Sequence, residues 1–214
     1  MNNGAFQGIS QDRKPIPPGI NAQKSKPLPG SMVCLTPSVN NAGSVGWSFL
    51  GLGNGGTVFI PFSFQHSFSF NQVRYYQYNG TGNVRFGIYD ADPDTMLPDL
   101  ETGRIIGEVA AGGAAAKTLS LQETQVEAGA GYALAMQLSD ISNISFYSHD
   151  YGYAPYGFID AAPNWGGYIA NSVLTKSGAY ASGLPSGPDF VAADLRGGGQ
   201  YTNTPTVFLT VKQS

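Results

Sequence analysis

The sequence predicts an all-β protein, an antiparallel, jelly-roll-like β-sandwich preceded by an extended N-terminal arm. Three observations carry this prediction. Val84, Phe86 and Ile88 alternate with Arg85, Gly87 and Tyr89; Tyr132, Leu134, Met136 and Leu138 alternate with Ala133, Ala135 and Gln137; and Val73, Tyr75 and Gln77 alternate with Arg74, Tyr76 and Tyr78. A period of two marks strands that lay one face on a core. Short segments of this kind recur along most of the chain between Gly, Asn and Pro punctuation, and helical periodicity is nearly absent, as in sandwiches and jelly rolls.

Residues 1–30 stand apart. They hold 5 of the 14 prolines and four basic residues, Arg13, Lys14, Lys24 and Lys26, against the single acid Asp12. Proline at this density blocks helix and central strand and favours extended, solvated backbone. The arm reads either as a tail without fixed structure or as an anchor that orders on an acidic partner surface. The sandwich is expected over 31–214. Its candidate strands are Met32–Thr36, Gly46–Leu50, Thr57–Phe62, Phe64–Phe70, Gln72–Tyr78, Asn83–Tyr89, Arg104–Val109, Lys117–Leu121, Gly131–Leu138, Ile144–Ser148 and Thr206–Val211. Asn54-Gly55, Asn79-Gly80 and Glu127–Gly131 have hairpin-turn chemistry. From 147 to 201 the pattern breaks into a long Tyr-, Gly- and Pro-rich loop, expected to cover one end or face of the sandwich, with one short turn within Asp189–Leu195.

Composition bounds the function. Charged residues are 12% of the chain, about half the usual share. A net charge of −3 argues against a nucleic-acid footprint. No stretch approaches the ~20 apolar residues of a membrane span, and no targeting signal is visible. The lone Cys34 sits in an apolar segment and reads as a buried, inert thiol. Gly51-Leu52-Gly53-Asn54-Gly55-Gly56 has dinucleotide-fingerprint spacing, but a strand follows where the pyrophosphate needs a helix. Asp90, Asp92 and Asp94 form a weak calcium candidate; Thr95 stands where an EF-hand loop requires Gly, so an ordinary acidic loop is the preferred reading. The only histidines, His66 and His149, lack zinc-ligand spacing, and His66 reads as a satisfied strand residue. No constellation supports catalysis, and no cofactor or metal is expected.

The long loop is the best binding candidate. Tyr151, Tyr153, Tyr156, Trp165 and Tyr168 would stack on sugar rings while Asp150 and Asp160 take hydroxyl hydrogen bonds. The alternative is that these rings pack the loop on the sheet or make subunit contacts, and that alternative is the stronger reading.

Taken in order, TVFIPFSF, FNQVRYY, NVRFGIYD with its Asp/Pro-rich loop, TLSL, AGAGYALAMQL, the aromatic loop, GLPSG and TPTVFLTV resemble a β-sandwich module of tailed-bacteriophage virion proteins, especially tail-fibre tips and surface appendages. The resemblance spans about residues 45–213. It departs from the pattern at Ala133, where Trp often follows Tyr, and in DADPDTMLPDL, which lacks the usual Pro-Gly turn. It implies a non-enzymatic virion protein assembled in the host cytoplasm, a homo-oligomer and expected trimer, whose arm (Arg13, Lys14, Lys24, Lys26) docks on other virion proteins. The sandwich would then meet a host-surface polysaccharide. The alternative is a capsid decoration, cement or adaptor protein that stabilises neighbouring subunits.

Overall fold

The computed structural model describes residues 26–35, 45–48, 56–113, 115–140, 145–149, 173–191, 195–196, 204–205 and 207–213. Its strands are β1 (Met32–Cys34), β2 (Val45–Ser48), β3 (Thr57–Ser63), β4 (Phe68–Asn79), β5 (Asn83–Ala91), β6 (Arg104–Ala110), β7 (Ala115–Val126), β8 (Gly131–Leu138), β9 (Ser145–His149), β10 (Val173–Lys176), β11 (Leu195–Arg196), β12 (Thr204–Pro205) and β13 (Val207–Val211). Two short 3₁₀ turns, Leu100–Thr102 and Tyr180–Ser182, are the only helical pieces among the described residues.

These strands form two antiparallel sheets. One has seven strands, ordered β1-β13-β4-β9-β12, with β7 also on β4 and β2 also on β9; the other has six, ordered β11-β10-β3-β8-β5-β6. Take β1, β3, β4, β5, β6, β7, β8 and β13 as first to eighth. One sheet then runs first, eighth, third, sixth and the other second, seventh, fourth, fifth, which is the double Greek key of a jelly roll. The expected fold class holds.

The connections differ from the expectation. Asn79-Gly80 joins β4 in one sheet to β5 in the other, and Glu127–Gly131 joins β7 to β8 in the same manner, so both are arches across the sandwich and not hairpins. Likewise β2 pairs with β9 and β3 with β8 and β10, so no hairpin joins β2 to β3; Asn54 and Gly55 lie outside the described residues. Arches need positive φ as much as hairpins do, and Gly80, Gly82 and Gly129 supply it. The predicted strands Phe64–Phe70 and Gln72–Tyr78 are also redrawn. The chain bends at Gln65–His66, so His66 is a half-buried bend residue, and one strand then runs Phe68–Asn79 with a bulge between Phe70 and Gln72.

The core lies between the sheets. Val58, Ile60 and Phe62 of β3, Val73 and Tyr75 of β4, Val84, Phe86 and Ile88 of β5, Leu134, Met136 and Leu138 of β8, and Val207, Leu209 and Val211 of β13 join in one buried cluster. Pro61 is tolerated inside β3 because β10 pairs only as far as Phe59, leaving no second neighbour there to want its missing N–H. Gln77 is fully buried at the far end of β4, and its amide has no hydrogen-bond partner among the described residues.

β3 and β8 are buried at every position and not on alternate ones. Phe59, Tyr89, Leu100, Ala133, Ala135 and Leu174 form a second cluster, on the outer side of the six-stranded sheet, against which Leu97, Leu184 and Phe190 pack. Within 147–201, read from the sequence as a loop, Val173–Lys176 and Leu195–Arg196 are strands, and 177–191 roofs that face; 150–172, 192–194 and 197–201 lie outside the described residues. A short 3₁₀ turn lies at Tyr180–Ser182; the turn expected within Asp189–Leu195 falls partly on 192–194, which lie outside the described residues.

Candidate binding surfaces

The seven loop residues singled out for sugar binding, Asp150, Tyr151, Tyr153, Tyr156, Asp160, Trp165 and Tyr168, lie outside the described residues, as do Arg13, Lys14 and Lys24 of the arm. Lys26 is described and exposed. Behind it the chain is tied to the sandwich: Gly30 N–H donates to Val211 O at 3.0 Å, and Val211 N–H donates back to Ser31 O at 2.9 Å.

The acidic loop between β5 and β6 spends its carboxylates on itself. Asp92 Oδ1 accepts from Thr95 N (2.7 Å), Thr95 Oγ1 (2.9 Å) and Asp94 N (3.0 Å). The hydrogen bonds from Thr95 above all, with that from Asp94, hold the Asp92 carboxyl below its ordinary range. Asp99 Oδ1 accepts from Glu101 N at 3.0 Å and caps the 3₁₀ turn. Asp90, Asp92 and Asp94 do not converge: among the described residues no three His, Cys, Asp or Glu side chains form a metal-holding group. The loop closes on Met96, buried despite a φ of 59°, whose N–H donates to Asp92 O at 2.7 Å. A shallow cleft lined by Asp90, Pro93, Gly131 and Tyr132 lies beside it.

The roof over the six-stranded sheet is held mostly through its main-chain carbonyls. Arg85 on β5 donates to Tyr180 O (2.8 Å) and Gln137 Oε1 (3.1 Å), and its Nε pairs with Glu108 Oε2 at 2.9 Å. Its guanidinium lies 3.9 Å from the centre of the Tyr180 ring. Burial pushes that phenol above its ordinary range, against the pull of Arg85. Gln137 Nε2 donates to Gly183 O (2.9 Å), Tyr89 Oη to Pro185 O (2.7 Å), and Lys176 Nζ to Pro188 O (3.2 Å) and Asp189 O (3.3 Å). Leu184 fills a notch that exists because residue 87 is glycine; a Cβ there would meet both Leu184 methyls, one of them at 2.9 Å. Phe190 stands edge-on to Phe59, ring centres 5.1 Å apart. Among the described residues, 177–191 thus covers the part of this face formed by β3, β8 and β5, while Ile105 on β6 stays 48% exposed.

The outer face of the seven-stranded sheet has no such roof among the described residues. Val33, Val73, Tyr75, Leu121, Val207 and Leu209 point into the core, so their strand neighbours point out. Register sets Cys34, Phe208, Arg74 and Thr118 in one row and Met32, Thr210, Gln72 and Ser120 in the next, with Tyr76 beside Ala116 beyond. Cys34 is therefore half-buried on the outward side and not a core thiol. Tyr76 is 41% exposed, and Arg74 rests against Met32 Sδ at 3.4 Å. Sequence reasoning passed over this surface, although the outward set Arg74–Tyr76 was already written in the alternation of FNQVRYYQY.

The described residues together define a jelly-roll β-sandwich in which 177–191 roofs part of one sheet face. No family model matches the chain, and no curated protein matches it in sequence. Among solved structures it is similar to the clostridial cysteine protease Cwp84 after propeptide cleavage, with a TM-score of 0.51 at 6% identity over 89% of this chain and 42% of that one. A second structure, of the cysteine protease and lectin-like domains of Cwp84, a surface layer associated protein of Clostridium difficile, gives 0.45 at 6% identity over 75% of this chain and 32% of that one. The chain thus spans less than half the length of the proteins it matches, and the likeness is one of fold.

Proposed function

We propose that the protein is a non-enzymatic structural component of a bacteriophage virion, an appendage of tail-fibre or tip type that is anchored by its basic arm and presents the jelly roll for attachment to a host-surface glycan. One observation carries this reading furthest: a proline-rich arm of net charge +3 runs without a spacer into β1, and main-chain hydrogen bonds to Val211 fasten it there. Such an arm suits an acidic groove on a particle, where charge complementarity steers docking. The ordered motif resemblance to virion modules supports the same assignment, and so does the lack of a catalytic constellation in the sequence.

A decoration or cement role within the virion is favoured by β7, a 12-residue strand that among the described residues pairs only with β4 and so stands at the edge of its sheet. Open edges of this length invite lateral pairing with neighbours. Copy number per particle separates the roles: hundreds for decoration, a few to a few dozen for an appendage. The arm is tested by deleting residues 1–25, which spares the contacts to Val211. Particles assembled without the chain should take up the full-length protein and leave the folded truncation in solution. Normal uptake of the truncation would overturn the anchoring role.

A further inference from the structure

The open face of the seven-stranded sheet carries a combination that neither the fold nor the arm requires. Arg74 stands in the middle of it, on β4, and makes no ion pair among the described residues; its one side-chain contact of hydrogen-bonding type is to a thioether. Glu123, the nearest acid along β7, is already paired with Lys212 at 2.6 Å. The positions beside Arg74 on both neighbouring strands bear no acid: Phe208 and Thr118 flank it, and Ser120 lies across from Gln72. No side chain among the described residues hydrogen-bonds Gln72, Thr118 or Ser120. One turn of the pleat away, Tyr76 offers a ring that is 41% exposed.

We infer that this face is a binding platform for an acidic, carboxylate-bearing polysaccharide, with Arg74 taking the carboxylate, Tyr76 stacking on a sugar ring, and Gln72, Thr118 and Ser120 meeting hydroxyls. Charge complementarity is the first argument. A guanidinium presents a planar fork of donors that matches a carboxylate two bonds at a time, and one with no acid beside it on either neighbouring strand selects an anion. The protein's net negative charge does not oppose this at physiological salt, because charges beyond about 8 Å are screened. The second argument is the texture of the face. Protein-interface cores are depleted of Ser and Ala and rich in contiguous apolar and aromatic area. Here Gln72, Thr118 and Ser120 interrupt the apolar area of Met32, Phe208 and the exposed Tyr76 ring, a surface matched to a ligand that carries hydroxyls on stackable rings. Arg74, Tyr76, Thr118 and Ser120 are exposed, and among the described residues no segment roofs them as 177–191 roofs part of the opposite sheet.

The platform deepens the glycan-attachment reading and rests on it, but places binding on β4 and β7 and not on the aromatic loop. The test uses the full chain, with polygalacturonate oligosaccharides as the acidic probe and dextran oligosaccharides as the neutral one, by titration calorimetry at low and high salt. The wild type should bind polygalacturonate, less tightly as salt rises, and ignore dextran. R74Q and Y76A should each weaken binding by about tenfold or more, with unchanged unfolding midpoints. R74K should fall between, because an ammonium cannot make the forked contact. If both variants bind like the wild type, the platform is wrong while glycan attachment survives through another surface. Binding of neither probe by the wild type overturns both. If the variants change the protein's own sedimentation and leave sugar binding intact, the face is a contact between copies and the proposal falls.

Discussion

The notch at Gly87 allows the clamping of the roof to be tested quantitatively. In G87A the new methyl meets Leu184 and approaches Arg104 O to 3.2 Å, so the roof must lift or Leu184 must leave its seat. Forcing a methyl into a filled site costs about 1–3 kcal/mol. L184A empties the same site from the other side. Leu184 is only half-buried, so its loss costs about 1–2 kcal/mol, below the range for fully buried leucines. The double variant removes the collision along with the side chain that suffered it. Its destabilisation should fall short of the sum of the singles by about 1 kcal/mol, well beyond the ~0.3–0.5 kcal/mol scatter of independent sites. Urea unfolding of the four proteins measures the coupling, and limited proteolysis within 177–191 reports whether G87A has loosened the roof. Additive free energies, with unchanged proteolysis in G87A, would show that Leu184 does not hold the roof.

Two further outcomes follow from the same geometry. R85A should destabilise the fold by about 1.5–3 kcal/mol, because it leaves Glu108 without its ion pair and withdraws charge-assisted donors from Tyr180 O and Gln137; denaturant unfolding checks it, and a loss no larger than a typical exposed substitution would sink the claim that Arg85 is a clamp. Asp92 has a folded-state carboxyl that ionises below its ordinary range, so its contribution is complete above that range and disappears as pH falls through the depressed value. Protection of the Asp94 and Thr95 amides against hydrogen exchange, taken relative to the intrinsic rate at each pH, should therefore fall on acidification in the wild type, and in D92N should be low already at neutral pH; wild-type protection that does not change with pH would refute it.

Asn83–Tyr89 and Gly131–Leu138 were legible because they keep a strict period of two, and the second was bounded to the residue. The bulge after Phe70 breaks that period in the long β4 and β7, so β4 was read as two strands and β7 only over Lys117–Leu121. Sheet membership was not legible. The Gly-containing links after Asn79 and Glu127 need the same left-handed backbone whether the chain folds back on its neighbour or crosses to the other sheet, so local chemistry cannot separate hairpin from arch. The roof was hidden for a different reason. It is gripped at the carbonyls of Tyr180, Gly183, Pro185, Pro188 and Asp189, and a main-chain carbonyl leaves no trace in a side-chain pattern. A trace did exist on the receiving side. The outward positions of β8 are Ala133, Ala135 and Gln137, too small and uncharged for a face meant to meet water, and Gly87 stands beside Ala135 across the ladder. Arg74 and Tyr76 were equally visible as outward residues of β4, but judging their partners required the register of β7 and β13.

The first and last strands of the jelly roll are antiparallel neighbours, with Met32 opposite Thr210 and Cys34 opposite Phe208. Mechanically, that makes the three-residue β1 the weak link of a tether. Tension applied through the arm falls first on the bonds that Gly30 and Ser31 share with Val211, before it reaches β4 and the long ladder behind it. Under strong pull β1 would peel away as a short extension while the remaining strands stay paired, so the joint yields before the platform does.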